Sequence, residues 1–329
     1  MSWKLFQAAV ACVLMQLSSS TASANDRVTL RFDFYAGGKH SAFAYGIKQG
    51  IYARHGIDLR LLEGTGSGPT TQVIAAGTDR FGYADAFTMA KLAAKGLPVR
   101  MIASYVQKSP WAISYFSHED IKTLRDLYGK KVSFTAGDAE YQIFPALMAA
   151  NNLDISKVKI VYLAPQAKQS AVMVGTVDAM GASYAEQAST IQKESNKPVS
   201  NLIYADLGAN TLSMGLIINA KYMNDQSLNC RMVAATNEAF AAAIKHPRAA
   251  TTALLEMFPH VNKGDLPLTE KQWILYAKLV HTQRTQSKPF GYMDAQDWAE
   301  TIAIGNKYGD FGSSRPISDY YTNQFINCK

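Results

Sequence analysis

Residues 73–82 read VIAAGTDRFG, and residues 172–181 repeat the same pattern as VMVGTVDAMG. Each pattern predicts a helix that ends near a Gly-Thr pair, then an aspartate, then a short buried strand that ends in glycine. Gly77 has the position of a helix C-cap in the first of them. Because each stretch closes a helix and opens a strand, the repetition predicts two lobes of similar construction.

Strand-like and helix-like segments alternate around these two stretches. The sequence predicts strands at 28–34, 57–62, 81–84, 99–106, 131–135, 158–163 and 177–181. It predicts helices at 40–53, from Pro69, from Asp85 as N-cap, at 138–152 and at 166–174. This order is typical of an α/β protein, in which helices cover mainly parallel sheets.

Two further strand-like segments predict where the chain passes between the lobes. They lie at 111–116 and 211–218, on either side of the second lobe. We therefore expect lobe 1 to contain residues 25–108 and 216–329, and lobe 2 to contain residues 109–215. A hinge of two crossings permits the lobes to close over a ligand. From residue 226 onward the pattern is helical, and Trp273 and Trp298 are expected core residues.

Composition and charge exclude several classes of protein. The chain has 329 residues, of which 48% are hydrophobic and 18% charged, so it is not a disordered chain and fits about two domains. The formal charge of +7 is spread over both halves, and no basic run is longer than the pair Lys130 and Lys131. We therefore expect no nucleic acid as a partner. The sequence contains no metalloprotease, lipase-type or P-loop motif, so we expect neither a catalytic nor a metal site.

The first 24 residues have the order of an export signal. Lys4 supplies a positive charge, residues 5–17 (LFQAAVACVLMQL) are apolar, and residues 22–24 (ASA) match a cleavage site. A membrane anchor is the alternative. Against it, Gln7 and Gln16 interrupt a run that is already shorter than the roughly 20 residues that span a bilayer. The sequence therefore predicts an exported protein.

The three cysteines are too few for a disulfide scaffold or for a zinc cluster of paired Cys-x-x-Cys motifs. Cys12 lies inside the apolar leader, where a lipoprotein site is the alternative to an ordinary signal. Cys230 and Cys328 remain in the exported chain, and an oxidising compartment permits a disulfide between them. Two separate thiols are the alternative, because the sequence gives no distance between the two Cα atoms.

Five stretches of the chain resemble one family of proteins. They are residues 33–40 (DFYAGGKH), 50–59 (GIYARHGIDL), 67–82 (SGPTTQVIAAGTDRFG), 126–132 (DLYGKKV) and 175–178 (GTVD). The chain resembles solute-binding proteins of ABC importers, in the branch that serves thiamine pyrimidine precursors, nitrate, sulfonates and taurine.

The resemblance implies a bilobal periplasmic-binding-protein fold that holds one small solute between its lobes. It also implies delivery of the solute to an ABC permease and its ATPase, with contact to the membrane only through the permease. We expect a monomeric periplasmic protein without a cofactor. A synthase that consumes its own histidine is a relative of this branch, but its cysteine-rich iron motif is absent from this sequence. We therefore do not expect an enzyme.

Candidate ligand-binding residues lie at the expected carboxyl ends of strands. Helix N-termini direct N–H groups toward a ligand there, and glycines permit a close approach, although each glycine loop is also compatible with an ordinary tight turn. The resemblance places His40 toward the ligand and aligns Glu186 with an acidic residue of the second lobe. The candidates are Tyr35, Lys39, His40, Ser67, Gly68, Asp85, Ala86, Trp111, Gly137, Asp138, Tyr184 and Glu186.

Two classes of ligand fit these residues. Helix N-termini together with Lys39 and His40 favour an oxyanion such as a sulfonate or a carboxylate. Carboxylates at Asp33, Asp85 and Asp138 repel an anion unless they cap helices or accept hydrogen bonds from a ring amine. Aromatic residues nearby are Tyr35, Phe87, Trp111, Tyr141 and Tyr184. We rank a planar nitrogen heterocycle of the thiamine-pyrimidine type first and an alkyl or aromatic sulfonate or carboxylate second.

We predict that the exported protein begins at Asn25, because signal peptidase cleaves after a small-x-small sequence such as that at 22–24. N-terminal sequencing of protein recovered from the periplasm should give Asn-Asp-Arg as the first three residues. A blocked N-terminus, or a start within the first 24 residues, contradicts this prediction.

Overall fold

The computed structural model describes residues 25–312 and 315–328, so the expected leader lies outside the described residues. The strands are β1 (Asp26–Arg31), β2 (Ile57–Leu62), β3 (Phe81–Asp85), β4 (Val99–Ser104), β5 (Trp111–Phe116), β6 (Lys131–Phe134), β7 (Lys159–Tyr162), β8 (Ala179–Ser183), β9 (Val199–Ile203) and β10 (Met214–Asn219). The helices are α1 (Ser41–Lys48), α2 (Ile51–Arg54), α3 (Ser67–Ala76), α4 (Ala86–Ala94), α5 (Ala139–Ala150), α6 (Pro165–Met173), α7 (Gln187–Ser195), α8 (Gln226–Lys245), α9 (Pro247–Met257), α10 (Leu266–Ala277) and α11 (Ala295–Tyr308).

Two five-stranded sheets form the framework, and each is the centre of one lobe. The sheet of lobe 1 has the strand order β2-β1-β3-β10-β4, and the sheet of lobe 2 has the order β7-β6-β8-β5-β9. In both sheets the first three strands are parallel. The two orders match position by position, so the bilobal α/β fold expected from the sequence is confirmed.

Each sheet is mixed, with four strands in one direction, as the expected parallel-rich sheets require, and one strand in the other. β10 is antiparallel to β3 and β4, and β5 is antiparallel to β8 and β9. The reason lies in the two crossings, at 105–110 and 204–213. A strand that has just crossed starts at the edge where the parallel strands end: Trp111 pairs with Ser183, and Met214 pairs with Asp85. It must therefore run in the opposite direction.

Local sequence signals account for most helix ends. Asp85 caps α4 by accepting a hydrogen bond from the Thr88 amide at 2.8 Å, and Gly77 ends α3 with a φ of 77°. The helix expected at 40–53 is instead two helices, α1 and α2. They are separated at Gly50, whose φ of 66° is left-handed and interrupts the helix.

The C-terminal part is helical, as expected, and completes lobe 1. α8 packs against α1, and the indoles of Trp273 and Trp298 are buried, with exposed fractions of 1% and 0%. The indole N–H of Trp273 donates to the Ala243 carbonyl at 3.0 Å, which satisfies its polar group. Among the described helices, none has the length and apolar character required to cross a membrane.

The C-terminal tail is attached to lobe 1 at two places. It runs beside β4, where the Met101 amide donates to the Tyr320 carbonyl at 2.9 Å and the Thr322 amide donates to the Met101 carbonyl at 3.0 Å. Near its end, a disulfide joins Cys328 to Cys230 of α8, with the two Cα atoms 5.8 Å apart. That separation is ordinary for a disulfide.

We predict that Cys328→Ser lowers the free energy of unfolding by about 2–5 kcal/mol, because the bridge closes a long loop of the unfolded chain. Urea denaturation with and without reductant measures the change. Cys230→Ser should give the same loss, and the double variant no more than either single one. Two reactive thiols in the unfolded, unreduced protein would contradict the bridge.

Candidate functional site

The cleft between the lobes contains an outer cavity and an inner pocket. Both lie where the parallel strands of the two sheets end, the position at which open α/β sheets bind their ligands. The outer cavity has a volume of about 340 Å³, which is the size of a small-molecule site. The inner pocket measures about 10 Å³, roughly the room for one water molecule.

Both lobes contribute to each space. The outer cavity is lined by residues 34–37 and 260–263 of lobe 1 and, from lobe 2, by α6 and the start of α7. Phe34 and Gln187 line both spaces. The inner pocket is lined by Asp33, Phe34, Lys39, Gly66, Ser67, Trp111, Asp138, Ala139, Glu140 and Gln187.

Lys39 is a buried cation at the lobe 1 side of the cleft. Its side chain is 2% exposed, and its Nζ lies 2.8 Å from Asp33 Oδ2. Glu186 of lobe 2 lies 3.7 Å from the same Nζ, so the ion pair spans the cleft. Burial alone would lower the pKa of Lys39, but the two carboxylates raise it above its ordinary value. The ammonium group therefore stays charged.

His40 lies behind Asp33 and lines neither space. Its Nδ1 accepts a hydrogen bond from the Gly37 amide at 3.1 Å, which leaves the proton on Nε2, 3.0 Å from Asp33 Oδ1. The imidazole also stacks on Phe32 at 3.9 Å. Burial lowers the pKa of His40 to about 4, so the ring is neutral and holds Asp33 in position.

Lys168 is the corresponding buried cation of lobe 2. Its Nζ lies 2.9 Å from Asp138 Oδ2 and 3.7 Å from Glu140 Oε1, and its side chain is 1% exposed. Asp138 also caps α5, because it accepts a hydrogen bond from the Tyr141 amide at 2.9 Å. Burial raises the pKa of Glu140 to about 7, despite the opposing effect of Lys168. This carboxyl is therefore poised to exchange a proton near neutral pH.

Trp111 joins the two lobes at the bottom of the pocket. Its indole N–H donates to Asp85 Oδ2 at 3.0 Å, and the ring lies 5.8 Å from Lys39 Nζ. The hydroxyl of Ser67 accepts from the Asp85 amide at 3.1 Å. Burial raises the pKa of Asp85, although these hydrogen bonds oppose the shift. The Asp85 carboxylate thus serves as both a helix cap and a partner of the indole.

Glycines permit direct contact between the lobes. The Gly68 amide donates to the Gly137 carbonyl at 3.0 Å, and a Cβ on Gly66 would lie 2.8 Å from the same oxygen. A Cβ on Gly37 would overlap Glu186 Oε1 at 1.6 Å. Gly68 and Gly137 therefore bring the lobes together, in addition to any contact with a ligand.

The structure brings together six of the twelve candidates in the lining of the two spaces. Of the others, Gly68 and Gly137 contact each other, and His40 supports Asp33. The Ala86 amide donates to the Ser213 carbonyl at 2.8 Å, and Tyr184 is half-buried outside both linings. Asp85 also lies outside both linings and accepts from the Trp111 indole. The six lining residues are Tyr35, Lys39, Ser67, Trp111, Asp138 and Glu186.

Sequence reasoning missed much of the outer cavity's lining and, near the inner pocket, Phe34, Glu140, Gln187 and Lys168. Phe34 follows Asp33 at the end of β1, and Glu140 lies two residues after the Asp138 cap, so both had a positional signal. Gln187 follows Glu186, and its Oε1 accepts from the Ser183 amide at 2.8 Å. Lys168 had no such signal, because a lysine within a helix is ordinarily solvated.

Acidic groups outnumber cations in this cluster. Its carboxylates belong to Asp33, Asp85, Asp138, Glu140 and Glu186, and its ammonium groups to Lys39 and Lys168. Burial raises the pKa of Glu186, as it does that of Glu140 and Asp85, so these groups lack full compensation of their charge. The site is therefore suited to a ligand that brings N–H donors or positive charge.

A family model places the chain among known proteins. The model described as NMT1/THI5 like matches residues 38–250, which include both crossings and lobe 2. The chain belongs to the NMT1/THI5-like family. This result confirms the resemblance carried by residues 33–40 and 67–82.

Three relatives of known function are similar to this NMT1/THI5-like chain. The formylaminopyrimidine-binding protein of Halalkalibacterium halodurans is 20% identical over 308 residues, 92% of each chain. The riboflavin-binding protein RibY of Chloroflexus aurantiacus is 23% identical over 91% of this chain and 86% of its own. The 4-amino-5-hydroxymethyl-2-methylpyrimidine phosphate synthase of Legionella pneumophila is 26% identical over 139 residues, 42% of this chain and 44% of its own.

Solved structures share the fold at low sequence identity. The periplasmic aliphatic sulphonate binding protein SsuA of Escherichia coli has a TM-score of 0.65 at 14% identity, over 85% of each chain. The periplasmic nitrate-binding protein NrtA of Synechocystis has a TM-score of 0.67 at 12% identity, over 92% of this chain and 87% of its own. These likenesses support the periplasmic-binding-protein fold.

We predict that Glu140→Gln flattens the pH dependence of stability. The pKa of Glu140 is about 7 in the folded protein and near 4.5 in the unfolded chain, so the folded state holds an extra proton between these values. Protonation of Glu140 therefore adds to the free energy of unfolding at low pH, and this contribution is lost as the pH rises through 7. Relative to the wild type, the variant should therefore gain on the order of 1–3 kcal/mol between pH 5 and pH 8.

Urea denaturation at pH 5, 6, 7 and 8 measures this effect. Glu256→Gln is the matched control, because it removes the same charge from an exposed residue of α9. Parallel pH profiles for the wild type, Glu140→Gln and the control would show that Glu140 does not titrate in this range.

Proposed function

We propose that this protein is the solute-binding component of an ABC importer and captures a small planar nitrogen heterocycle between its lobes. The observation that carries the proposal is the excess of buried carboxylates at the cleft. Ring amines and amidine-type edges donate several hydrogen bonds to carboxylates, and such charge-assisted bonds are among the strong ones. A thiamine-type pyrimidine has this donor edge.

The two buried cations support the same choice. Lys39 already pairs with Asp33, and Lys168 already pairs with Asp138, both within 3 Å. An oxyanion would have to replace the aspartates as the partner of these ammonium groups. The aspartates would then be buried without a compensating charge. A sulfonate, a carboxylate or nitrate is therefore a weaker candidate than a neutral or cationic ring.

Aromatic side chains supply the flat surfaces for such a ring. Tyr35 lines the outer cavity, and Trp111 lines the inner pocket. Offset or edge-on contacts between aromatic rings add to the free energy of binding beyond burial of area. Nitrate is too small to use these surfaces.

Reversible binding is favoured over catalysis. The relative named as a synthase matches less than half of this chain. A reaction that consumes a histidine needs that side chain exposed to substrate, whereas His40 is 0% exposed and both its ring nitrogens are hydrogen-bonded. We propose a periplasmic location, a monomer, and delivery of the solute to a permease and its ATPase, by analogy with the fold.

The crossings at 105–110 and 204–213 are the proposed hinge. Solute binding shifts the protein from an open form toward the closed arrangement described above, in which Lys39 and Glu186 face each other. The lobe boundaries 25–108, 109–215 and 216–329 follow from the same proposal.

We predict that formylaminopyrimidine binds and raises the melting temperature, because a ligand that binds only the folded state stabilises it. Calorimetry and thermal melts with formylaminopyrimidine, riboflavin, an alkanesulfonate and nitrate compare the ligand classes. Small-angle scattering should show a smaller radius of gyration with the bound solute. Glu186→Gln should weaken binding about 10- to 100-fold, since it removes a charged acceptor.

Glu119→Gln is the matched control for that variant, because it alters a carboxylate of lobe 2 outside both linings. It should leave the affinity unchanged. Binding of nitrate or a sulfonate in place of the pyrimidine contradicts the proposed ligand class, and formation of a product contradicts the binding role.

A further inference from the structure

Phe34 lies between the outer cavity and the inner pocket, since it lines both, as Gln187 does. The ring centroid lies 6.0 Å from Nζ of Lys39 in lobe 1 and 5.9 Å from Nζ of Lys168 in lobe 2. An aromatic face within about 6 Å of an ammonium group makes a cation–π contact. One phenyl ring therefore contacts both buried cations of the cleft.

The inner pocket has the polar and aromatic lining of a binding site but is too small to hold a solute. Its walls carry the carboxylates of Asp33, Asp138 and Glu140 and the indole of Trp111, yet the space measures about 10 Å³. Lys168 Nζ is 3.7 Å from Glu140 Oε1, beyond ordinary hydrogen-bond distance. The carboxylates of this lining can accept hydrogen bonds from a solute that carries N–H groups. No solute fits beside them while the Phe34 ring is in place.

Hydrogen bonds fix the backbone at Phe34, whereas the outer cavity leaves space for its side chain to rotate. The Asp33 carbonyl accepts from the Gly66 amide at 2.7 Å, and the Phe34 carbonyl accepts from the Gly64 amide at 3.1 Å. The outer cavity of about 340 Å³ adjoins the ring. Rotation of the side chain into this cavity joins the two spaces and leaves the backbone where it is.

We propose that the Phe34 ring occupies the ring-binding space of the inner pocket in the closed arrangement, and that a flat solute with an amidine-type edge displaces it. The inference rests on the proposed function, because it requires that the cleft binds a solute. The ring of the solute takes over the contacts with Lys39 and Lys168. Its N–H donors reach the carboxyl group of Glu140, which lies 3.7 Å from Lys168 Nζ and which a phenyl group cannot satisfy.

4-Aminopyrimidine is the probe, because its ring carries an amine beside a ring nitrogen. We predict that Phe34→Ala binds it about 5- to 30-fold more tightly than the wild type, since two cation–π contacts no longer oppose entry. The association rate in stopped-flow measurements should also rise. Phe34→Leu keeps much of the side-chain volume but has no aromatic face, and it should bind more tightly as well, so the test does not depend on one variant folding.

Two controls define the result. Tyr162→Ala removes an exposed aromatic ring outside both linings and should leave the affinity unchanged. Benzoate, a flat ring with an anionic edge, should bind neither the wild type nor the variants. Equal or weaker binding of 4-aminopyrimidine by both Phe34 variants overturns the displacement, because Phe34 is then a wall of the site or plays no part in it.

The outcome also separates this inference from the proposed function. Binding of formylaminopyrimidine by the wild type without a gain in the Phe34 variants overturns the displacement alone. A second outcome is that the Phe34 variants bind 4-aminopyrimidine more tightly while the wild type binds none of formylaminopyrimidine, riboflavin, the alkanesulfonate and nitrate. This outcome supports the displacement and overturns the proposed ligand. Failure of all these proteins to bind either pyrimidine overturns both.

Discussion

Compensation of the two buried ammonium charges is the constraint on which the rest of the site depends. Lys39 and Lys168 are both almost fully buried, and a buried ammonium group without a partner costs several kcal/mol. Each is therefore paired with an aspartate of its own lobe, Asp33 or Asp138. Because each pair lies within one lobe, neither cation depends on the other lobe for its nearest carboxylate.

Closure adds a second set of contacts that depends on small residues. Glu186 reaches Lys39 across the cleft only because Gly37 has no side chain in its path, and the Gly68 amide reaches the Gly137 carbonyl for the same reason. Since these contacts use backbone and fixed carboxylates, the lobes meet in one arrangement. The pocket between them is therefore small, acidic and shaped by the protein alone.

The C-terminal helices also take part in the cleft. Gln272 of α10 donates to the Glu186 carbonyl at 3.2 Å and to the Thr190 hydroxyl at 3.0 Å. Asn262, with a left-handed φ of 46°, donates to the Gln272 side-chain oxygen at 2.8 Å. A network of side-chain hydrogen bonds thus connects the start of α7 in lobe 2 to lobe 1, in addition to the two crossings. Opening of the cleft has to break these hydrogen bonds as well as the contacts at the pocket.

The sequence by itself determined most of the order of strands and helices, although not α7 and β9, together with the capping of α4 by Asp85, the end of α3 at Gly77 and the two-lobe repetition. Each of these depends on residues close together in the chain, so a local pattern is enough to predict it. The antiparallel direction of β5 and β10 did not follow from any local pattern. It is a consequence of where the crossings deliver the chain.

The tertiary structure alone decided which candidates face the cleft. Asp85, Asp138 and Trp111 were expected there and do meet, but His40 is enclosed behind Asp33, and Lys168 is a buried cation rather than a solvated lysine. The physical reason is that burial and charge pairing arise between segments far apart in the chain. A residue's type and neighbours determine what it is able to bond, whereas the packing of the two lobes determines what it meets.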